Sequence, residues 1–518
     1  MDVLAAPRAG FDLAIETVII GSGACGMVAA LAANEAGQQV LVLERDAIPS
    51  GSTALSAGLI PAAGTRFQRA AGIADDPEIF AADIQRKANG ENDPNLVAAL
   101  ARGAGPTIEW LADRFDFQFS LVTDFEYPGH SRRRMHGLPS RSGRELVDHM
   151  RAACEAEGID IVCERRATAL FVSSEARVEG IAALRPDGAV ERIGCGRLIL
   201  ACNGFGGNRD MVRAHMPEIA DALYFGHAGN QGEAMAWGEK LGAAIRHPGA
   251  YQGHGNVAHP HGILITWAVI MQGGFQVNRG GRRFWNEAQG YSEAARAVLA
   301  QADGIAFTIF DQRIAAIARQ FADFQQAEAV GAIRSADSLE ALAAMLDLPL
   351  QALAETMRRV EAAKAGARRD AFGRSFANLA ALRPPYLAVM VTGALFHTQG
   401  GLETDERGRV IRRDASLLPN LWAAGGAACG VSGAGESGYL SGNGLLSAGV
   451  LGRAAGLSVS PTATDSGWSI CVVRQAWIGG FGCQRRSWVM RVLARTSSLR
   501  MTAVRATLGF LPAARRRR

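Results

Sequence analysis

Metal-binding and haem-attachment spacings are absent from the cysteines of this 518-residue chain. Its eight cysteines form no Cys-x-x-Cys pair and no Cys-x-x-Cys-His segment. Such spacings hold zinc, iron–sulfur clusters or covalently attached haem, so no metal site of these kinds is expected. Reduced thiols in a cytoplasmic protein are the simplest interpretation.

Long apolar runs are missing as well. No uninterrupted apolar stretch is long enough to cross a bilayer, and the first residues, MDVLAAPRAGFDLAIE, carry acidic groups where a secretory signal needs an apolar run. We therefore expect a cytoplasmic protein without a membrane span.

Acidic residues are almost absent from the last part of the chain. From residue 461 onward there are 11 Arg and one acidic residue, Asp465, a balance of +10 that leaves −6 for the rest of the net +4. The basic pI therefore does not predict a nucleic-acid partner. Residues 459–518 show no clean helical or strand period and are predicted to be a disordered basic tail. This tail is either an unselected extension or an arm that contacts lipid or nucleic acid.

Glycine is present in excess, with 61 residues clustered in runs such as GSGACG and AAGGAACGVSGAG. The first run follows the apolar residues 18–20 and precedes a helix-period stretch and a second apolar run at residues 40–43. This order predicts a β-α-β unit in which a helix N-terminus faces the glycine turn. The chain length predicts two or three domains, of which this unit begins one.

The glycine turn fits the fingerprint for a dinucleotide pyrophosphate. Gly21 permits the tight turn, Gly23 lets the phosphates approach the backbone, and Gly26 lets the helix pack on the strand. Glu44, at the end of the second strand, is placed to accept hydrogen bonds from ribose hydroxyls, which favours FAD or NAD over NADP. A following loop of small residues is able to wrap a second cofactor half and favours FAD. The predicted contacts in these two segments are Gly21, Gly23, Ala24, Gly26, Glu44, Gly51, Ser52, Thr53, Ser56 and Gly58.

Six motifs follow one another along the chain: GSGACG, GSTALSAG, LILACNGFGGN, VNRGGRRFWNE, FHTQGGL and SGYLSGNGLLSAGVLGRAAG. Over roughly residues 14–458 they resemble the flavoproteins of the fumarate reductase and 3-ketosteroid dehydrogenase superfamily. The resemblance implies an α/β fold, with a Rossmann-like FAD-binding domain of the glutathione-reductase type and an inserted α+β capping domain. The FAD-binding domain then comprises residues 14–250 and 385–458, and the cap comprises residues 251–384.

The same resemblance implies that the substrate lies between cap and flavin. It also implies further FAD contacts at Ala201, Gly204, Gly425, Gly426, Gly442, Asn443, Leu445 and Leu446. Membrane-bound succinate dehydrogenases carry, in the GSTALSAG loop, a histidine that bonds covalently to flavin. This chain has no His there, so non-covalent FAD is expected.

The motifs depart from the fumarate reductase branch where that branch has its chemistry. Trp267 and Ile270 stand where those reductases carry the relay Glu and Arg, and Tyr291 and Tyr439 stand where they carry arginines. Dicarboxylates need guanidinium groups for bidentate recognition. The two tyrosines are similar to those of the ketosteroid dehydrogenases, the branch that this chain resembles more.

That branch implies dehydrogenation beside a ketone on an apolar, ketosteroid-like substrate. Polarising the ketone oxygen makes the α-proton acidic while the β-hydride goes to flavin N5. Tyr439 and Ser441 would bind the carbonyl oxygen, Tyr291 would accept the α-proton, and His397 aligns with a substrate-side histidine. A tyrosine with a pKa near 10 is a poor base, so Tyr291 needs a lowered pKa or a hydrogen-bonded relay.

Several alternatives stay open at the level of the sequence. Tyr291 packing its ring between cap and FAD domain, and His397 capping a loop, are structural interpretations. A fumarate-type dicarboxylate or enoate reductase is the alternative enzyme, and a non-catalytic flavoprotein redox sensor is the alternative of another class. In the enzyme interpretations electrons leave to a separate acceptor, and the oligomeric state stays open.

Two local patterns complete the predictions. Residues 337–365 have a helical period that predicts two amphipathic helices broken near Pro349. The run Arg132, Arg133, Arg134 precedes a family loop near the flavin and is interpreted either as part of that loop or as a solvated basic turn.

Overall fold

The computed structural model describes residues 1–458, and the predicted basic tail lies outside the described residues. The strands are β1 Asp2–Ala5, β2 Leu13–Ile20, β3 Val40–Leu43, β4 Ile60–Pro61, β5 Ser120–Leu121, β6 Met135–Gly137, β7 Asp160–Val162, β8 Arg166–Val172, β9 Val178–Leu184, β10 Val190–Leu200, β11 Leu223–Tyr224, β12 Ile245–Arg246, β13 Tyr251–Ala258, β14 Ile263–Leu264, β15 Phe275–Val277, β16 Ile305–Asp311, β17 Ile333–Ala336, β18 Tyr386–Thr398, β19 Gly401–Leu402, β20 Arg409–Ile411 and β21 Leu417–Ala423. The α-helices are α1 Ala24–Glu35, α2 Arg66–Ala70, α3 Pro77–Lys87, α4 Pro94–Phe115, α5 Gly143–Ala156, α6 Arg209–His215, α7 Glu233–Lys240, α8 Ala268–Met271, α9 Tyr291–Leu299, α10 Gln312–Ala318, α11 Ala322–Ala329, α12 Leu339–Leu346, α13 Leu350–Lys364 and α14 Asn443–Leu457.

The first sheet carries the predicted β-α-β unit. Strand β2 lies between β3 and β10, and all three run parallel. Strand β7 extends the sheet beyond β3, and β21 pairs in parallel with the last residues of β10. Residues 18–20 of β2 are buried, as expected for a strand of a parallel sheet covered by helices on both faces. The carboxyl ends of these strands therefore meet along one edge.

Helices α1 and α14 pack closely because two glycines of α14 lie against the backbone of α1. A Cβ on Gly456 would lie 2.3 Å from the carbonyl oxygen of Ala29, and one on Gly452 would lie 2.8 Å from that of Cys25. The close packing brings the N-termini of both helices to the same cavity. Ala24 at the start of α1 and Gly442 at the start of α14 both line it. The chain thus joins its first glycine motif to its last.

The second sheet is inserted between the parts of the first. Its strands lie in the order β14-β13-β18-β16-β15, with β11 and β17 also paired to β18. Its helices bury a separate apolar core around Trp267, Phe275, Phe310 and Phe324. The predicted α/β architecture with an inserted second layer is confirmed. The bounds 251–384 for the cap stay a proposal, and the second sheet also uses β11 and β18, which lie outside them.

The two helices predicted within residues 337–365 are confirmed as α12 and α13, and Pro349 is the N-cap residue of the second. Proline breaks the first helix because it offers no backbone N–H, and its fixed φ suits the start of the next. Among residues 1–458, the helices are too short or too polar to cross a lipid bilayer.

Candidate active site

A deep cavity lies at the edge where the strands of the first sheet end, and the second sheet covers it. One end is lined by the glycine turn and Glu44, and the other by the predicted catalytic residues. The predicted cofactor residues that line it are Gly21, Gly23, Ala24, Glu44, Gly51, Ser52, Thr53, Ser56, Gly58, Ala201, Gly425, Gly426, Gly442 and Leu445. The predicted catalytic residues Tyr291, His397, Tyr439 and Ser441 also line it.

The glycine turn at residues 21–26 has no space for a side chain at Gly21. Gly21 has φ +105°, and a Cβ there would lie 2.5 Å from the carbonyl oxygen of Ala201. Helix α1 begins directly after the turn, and the backbone N–H of Ala24 donates to Thr53 Oγ1 at 3.1 Å. Free N–H groups at a helix N-terminus favour an anion, so this end fits a pyrophosphate.

Four predicted cofactor residues do not line the cavity: Gly26, Gly204, Asn443 and Leu446. A Cβ on Gly26 would lie 1.9 Å from the carbonyl oxygen of Gly21, so Gly26 lets the helix sit on the turn. Asn443 begins α14, and its Nδ2 donates to Ser432 Oγ at 3.0 Å. The contacts of these four residues with a cofactor stay predictions.

Glu44 is buried and already holds the turn in place. Its Oε2 accepts hydrogen bonds from the backbone N–H of Ser22 at 3.0 Å and from the Ser22 hydroxyl. Its Oε1 accepts from the backbone N–H of Asp46 at 3.0 Å. The carboxylate thus links the ends of β2 and β3 at the point where the fingerprint expects a ribose.

Other polar atoms of the lining are buried and have no hydrogen-bond partner among the described residues. They include Thr398 Oγ1, Ser447 Oγ and Trp237 Nε1. Buried polar atoms in folded proteins are normally satisfied, so groups of this kind indicate a polar ligand. A long cavity with a phosphate-binding turn at one end and such atoms along its walls fits FAD.

Two phenols lie side by side at the other end. The rings of Tyr291 and Tyr439 are 6.0 Å apart between centroids, close enough for each phenol to affect the acidity of the other. Ser441 lines the same end of the cavity, near Tyr291. Tyr291 reaches the cavity as the first residue of α9, while Tyr439 and Ser441 reach it from the loop before α14. The structure therefore brings Tyr291 close to Tyr439 and Ser441, which follow it about 150 positions later in the sequence.

Burial changes the acid strength of both phenols. It raises the pKa of Tyr439 to about 12 and the pKa of Tyr291 well above its usual value, and the nearby Tyr439 adds to the latter shift. The lowered pKa considered for Tyr291 is therefore wrong, because removing solvent disfavours the phenolate. The second possibility, a hydrogen-bonded relay, stays a proposal that the nearness of Tyr439 and Ser441 supports.

His397 faces the beginning of α14. Burial lowers its pKa, so the ring is neutral at pH 7. Its Nδ1 lies 3.1 Å from the carbonyl oxygen of Thr398 and 2.8 Å from Gln399 Nε2. A Cβ on Gly444 would lie 2.7 Å from His397 Nε2, and the imidazole meets the Tyr439 ring edge to face. The histidine thus packs beside Tyr439.

Residues 16–445 match the profile of a protein family described as FAD binding domain. This chain belongs to that family. Among curated proteins, a probable fumarate reductase of Shewanella frigidimarina is 29% identical over 461 residues, covering 88% of this chain and 76% of that protein. A 4-oxocyclohexanecarboxylate 2-dehydrogenase of Sinomonas cyclohexanicum is 25% identical, covering 89% of this chain and 96% of that protein.

Solved structures of both branches have the same fold. An open conformation of a flavocytochrome c3 fumarate reductase matches with a TM-score of 0.72 and 27% identity, over 87% of this chain and 78% of that one. A 3-ketosteroid Δ4-(5α)-dehydrogenase from Rhodococcus jostii matches with a TM-score of 0.70 and 23% identity, over 89% of this chain and 100% of that one. The flavoprotein is therefore an FAD-dependent oxidoreductase, and the prediction of FAD is confirmed.

Two residues of the phenol end were missed by the sequence analysis. His254 on β13 stacks on Tyr291, with 4.7 Å between ring centroids, and on Phe396 at 5.1 Å. Burial lowers the pKa of His254 to about 3, so the imidazole is neutral. Its stacking fixes the plane of the Tyr291 ring. Tyr127 lines the cavity, as does Thr266. The signal that the sequence offers is the tyrosine of the segment FEYPGHSRRR, which stands close to the basic run.

The last arginine of the basic run at residues 132–134 differs from the other two in its burial. Arg132 and Arg133 are exposed, as a solvated turn predicts, but Arg134 is buried. It pairs with Asp75 at 2.9 Å and with Asp83 at 2.5 Å. The interpretation as a solvated turn is therefore wrong for Arg134, because two acids from distant segments neutralise it.

Arg134 acts on the active-site loop through a histidine. Its Nη1 donates to His130 Nδ1 at 3.1 Å, and His130 Nε2 donates to the carbonyl oxygen of Ser441 at 2.9 Å. Burial lowers the pKa of His130 to about 3, so the ring stays neutral with the proton on Nε2. This chain of bonds holds the backbone of Ser441 in place.

Charged groups are distributed unevenly along the cavity. Within the described lining, the cationic side chains are Arg45, Arg165 and Arg166, all next to Glu44 or to the strands beside it. The backbone N–H of Arg165, for instance, donates to the carbonyl oxygen of Glu44 at 2.7 Å. The phenol end is lined mainly by aromatic and apolar groups, and its charged member is Asp323.

Two ion pairs fasten the helix of Tyr291 to the FAD-binding side. Lys87 of α3 pairs with Glu293, and Arg296 pairs with Glu436 at 2.6 Å. Glu293 and Arg296 belong to α9, and Glu436 lies three residues before Tyr439 in the chain. Both halves of the phenol pair are thus tied to each other outside the cavity.

Proposed function

We propose that this flavoprotein dehydrogenates a CH–CH bond beside a ketone in an apolar, cyclic substrate. The observation that carries the proposal is the pair of neutral phenols, Tyr291 and Tyr439, in a cavity end whose described lining holds no Arg or Lys. A dicarboxylate needs cations for its recognition, whereas a ketone oxygen needs only hydrogen-bond donors. When bound, FAD supplies the acceptor for the hydride that leaves the β-carbon.

Tyr439 is suited to bind the ketone oxygen. Its pKa of about 12 keeps the phenol protonated at any physiological pH, so it is always a donor. A hydrogen bond from the Tyr291 hydroxyl to the Tyr439 oxygen in the substrate complex would strengthen that donor. A donor placed where negative charge develops lowers the barrier to loss of the α-proton.

Tyr291 is placed to take the α-proton at its phenol oxygen. Because burial disfavours its phenolate, it acts only if its own proton passes on through Tyr439 to the ketone oxygen, and that proton is released to solvent when the β-hydride leaves. His254, stacked on the ring, fixes the direction in which the oxygen points. The side chains of this chain thus provide a donor, an acceptor and a relay without an ionised base.

The rival is a dicarboxylate or enoate reductase, and the 29% identity to a probable fumarate reductase favours it. The oxocyclohexanecarboxylate dehydrogenase, whose length is matched almost completely, supports the ketone proposal. The ketone dehydrogenase and the dicarboxylate reductase would use the same flavin site. The two proposals therefore differ in the side chains that contact the substrate.

The test is a comparison of electron donors on the purified, flavin-loaded protein. With an artificial dye as acceptor, we expect cyclic ketones and 3-ketosteroids to support dye reduction and succinate to give none. After anaerobic reduction of the flavin, an unsaturated cyclic ketone should reoxidise it and fumarate should not. The reverse pattern would establish the dicarboxylate reductase instead. The Tyr439→Phe variant, with its flavin retained, is the control that ties turnover to the phenol.

A further inference from the structure

The phenol end of the cavity contains one acidic group that the proposed chemistry does not use. Asp323 lies in the first turn of α11 and is partly buried where it lines the cavity. Among the described residues its side chain forms no hydrogen bond and no salt bridge. A partly buried carboxylate without a partner, in a wall that is mostly aromatic and apolar, is uncommon because such acids are normally paired.

The surroundings of Asp323 are apolar on its own element and on the neighbouring ones. Phe321, two residues earlier in the chain, packs on Phe125, and Phe125 packs on Tyr127. Helix α11 also lies against β14, which ends at Leu264. Loss of solvent alone raises the pKa of Asp323 to about 6, so the group is mostly ionised at pH 7.5. An ionised oxygen acceptor without a partner among the described residues therefore stands in the wall of the cavity.

We propose that Asp323 is a specificity residue that accepts a hydrogen bond from a hydroxyl group on the part of the substrate remote from the ketone. Tyr439 and Ser441 reach the cavity from the loop before α14, whereas Asp323 reaches it from a cap helix, so the two ends of a substrate meet different walls. The same carboxylate repels a substrate carboxylate. This inference rests on the proposed function, and it narrows the substrate class to hydroxyl-bearing cyclic ketones.

The test uses ketones that differ at one substituent. The first set is cyclohexanone bearing a 4-hydroxymethyl, a 4-methyl or a 4-carboxylate group, and the second is a pair of 3-ketosteroids with a 17-hydroxyl or a 17-ketone. Each is assayed with the wild-type protein and with Asp323→Asn and Asp323→Ala. Two quantities are measured: kcat/KM with a dye acceptor, and the rise in Tm that each ketone causes, which reports binding without turnover.

The wild-type protein should prefer the hydroxyl-bearing member of at least one set by about tenfold, as expected for a hydrogen bond to a charged acceptor. Asp323→Ala should abolish the preference, and Asp323→Asn should accept the 4-carboxylate about tenfold better than the wild type does. Asp124→Asn is the matched control. Asp124 is exposed and accepts a hydrogen bond from Gln320 at 3.3 Å, but it does not line the cavity, so its loss should leave the ratios unchanged.

Equal losses for all ketones in Asp323→Ala would overturn the proposal and leave Asp323 a role in helix α11 alone. A wild-type protein without the hydroxyl preference, or without a rise in Tm for any ketone, would overturn it too. If no ketone is oxidised but hydroxyl-bearing ketones still raise the Tm through Asp323, the proposed function fails and the binding role stands.

Discussion

The substitution Lys87→Met tests whether the ion pair between Lys87 and Glu293 positions the phenol of Tyr291. The two side chains are only 13% and 15% exposed, and the Lys87 ammonium also donates to the carbonyl oxygen of Gln289 at 2.9 Å. Removing it leaves the Glu293 carboxylate in a site where burial already raises its pKa. Methionine keeps the length of the side chain, so the change removes charge rather than volume.

The magnitude follows from the burial. Breaking a fully buried pair by removing one partner costs about 3–5 kcal/mol, and the remaining solvent access here reduces this to about 2 kcal/mol. With an unfolding entropy of about 2 cal/mol/K per residue over the described chain, the Tm should fall by about 2 °C. Activity should suffer more, because Tyr291 lies two residues before Glu293 at the start of the same helix. A small displacement of a reacting group reduces kcat/KM by about tenfold or more.

The assay is thermal unfolding together with ketone-dependent dye reduction, at equal flavin content. Lys87→Arg should retain both properties, and the double variant Lys87→Met with Glu293→Gln should recover part of the loss because no charge is left unpaired. Arg359→Met is the matched control, since it breaks an exposed pair with Glu355 on α13. If Lys87→Met behaved like Arg359→Met, the idea that this pair positions the phenol would be refuted.

Three further outcomes follow from the structure. Gly21→Ala forces a Cβ to 2.5 Å from the Ala201 carbonyl oxygen at φ +105°, so we expect protein without visible flavin absorbance. His130→Leu removes the donor to the Ser441 carbonyl oxygen and should lower stability by about 1–3 kcal/mol in chemical unfolding, with flavin retained. The raised pKa of Tyr439 stabilises the fold below pH 10, and this contribution is lost as the pH rises from 10 to about 12, so unfolding of Tyr439→Phe should depend less on pH across that range.

The cofactor half of the site was predictable because its signals are local. Gly21, Gly26 and Glu44 lie within one β-α-β unit, and the turn, the helix start and the strand end are consecutive in the chain. Such geometry depends on short-range sterics, which the residue types specify directly. Within this unit Gly26 also has a packing role, since a Cβ there would meet the Gly21 carbonyl oxygen.

The substrate half depends on contacts between distant segments. Arg134 looked like part of a solvated turn because Asp75 and Asp83, which bury it, come from elsewhere in the chain. His254 and Asp323 carried no motif, and their position in the cavity follows only from the second sheet and its helices. The pKa of Tyr291 depends on burial, so its direction could not be predicted from residue type.

The role of the Tyr439 phenol is tested most directly by the rate of flavin reduction in a single anaerobic turnover with a cyclic ketone. We expect the wild-type flavin to lose its colour, and Tyr439→Phe, carrying the same amount of flavin, to react about 10²–10³-fold more slowly, as for loss of one donor to a developing oxyanion. Reduction of both proteins at the same rate, or reduction by succinate alone, would contradict the account.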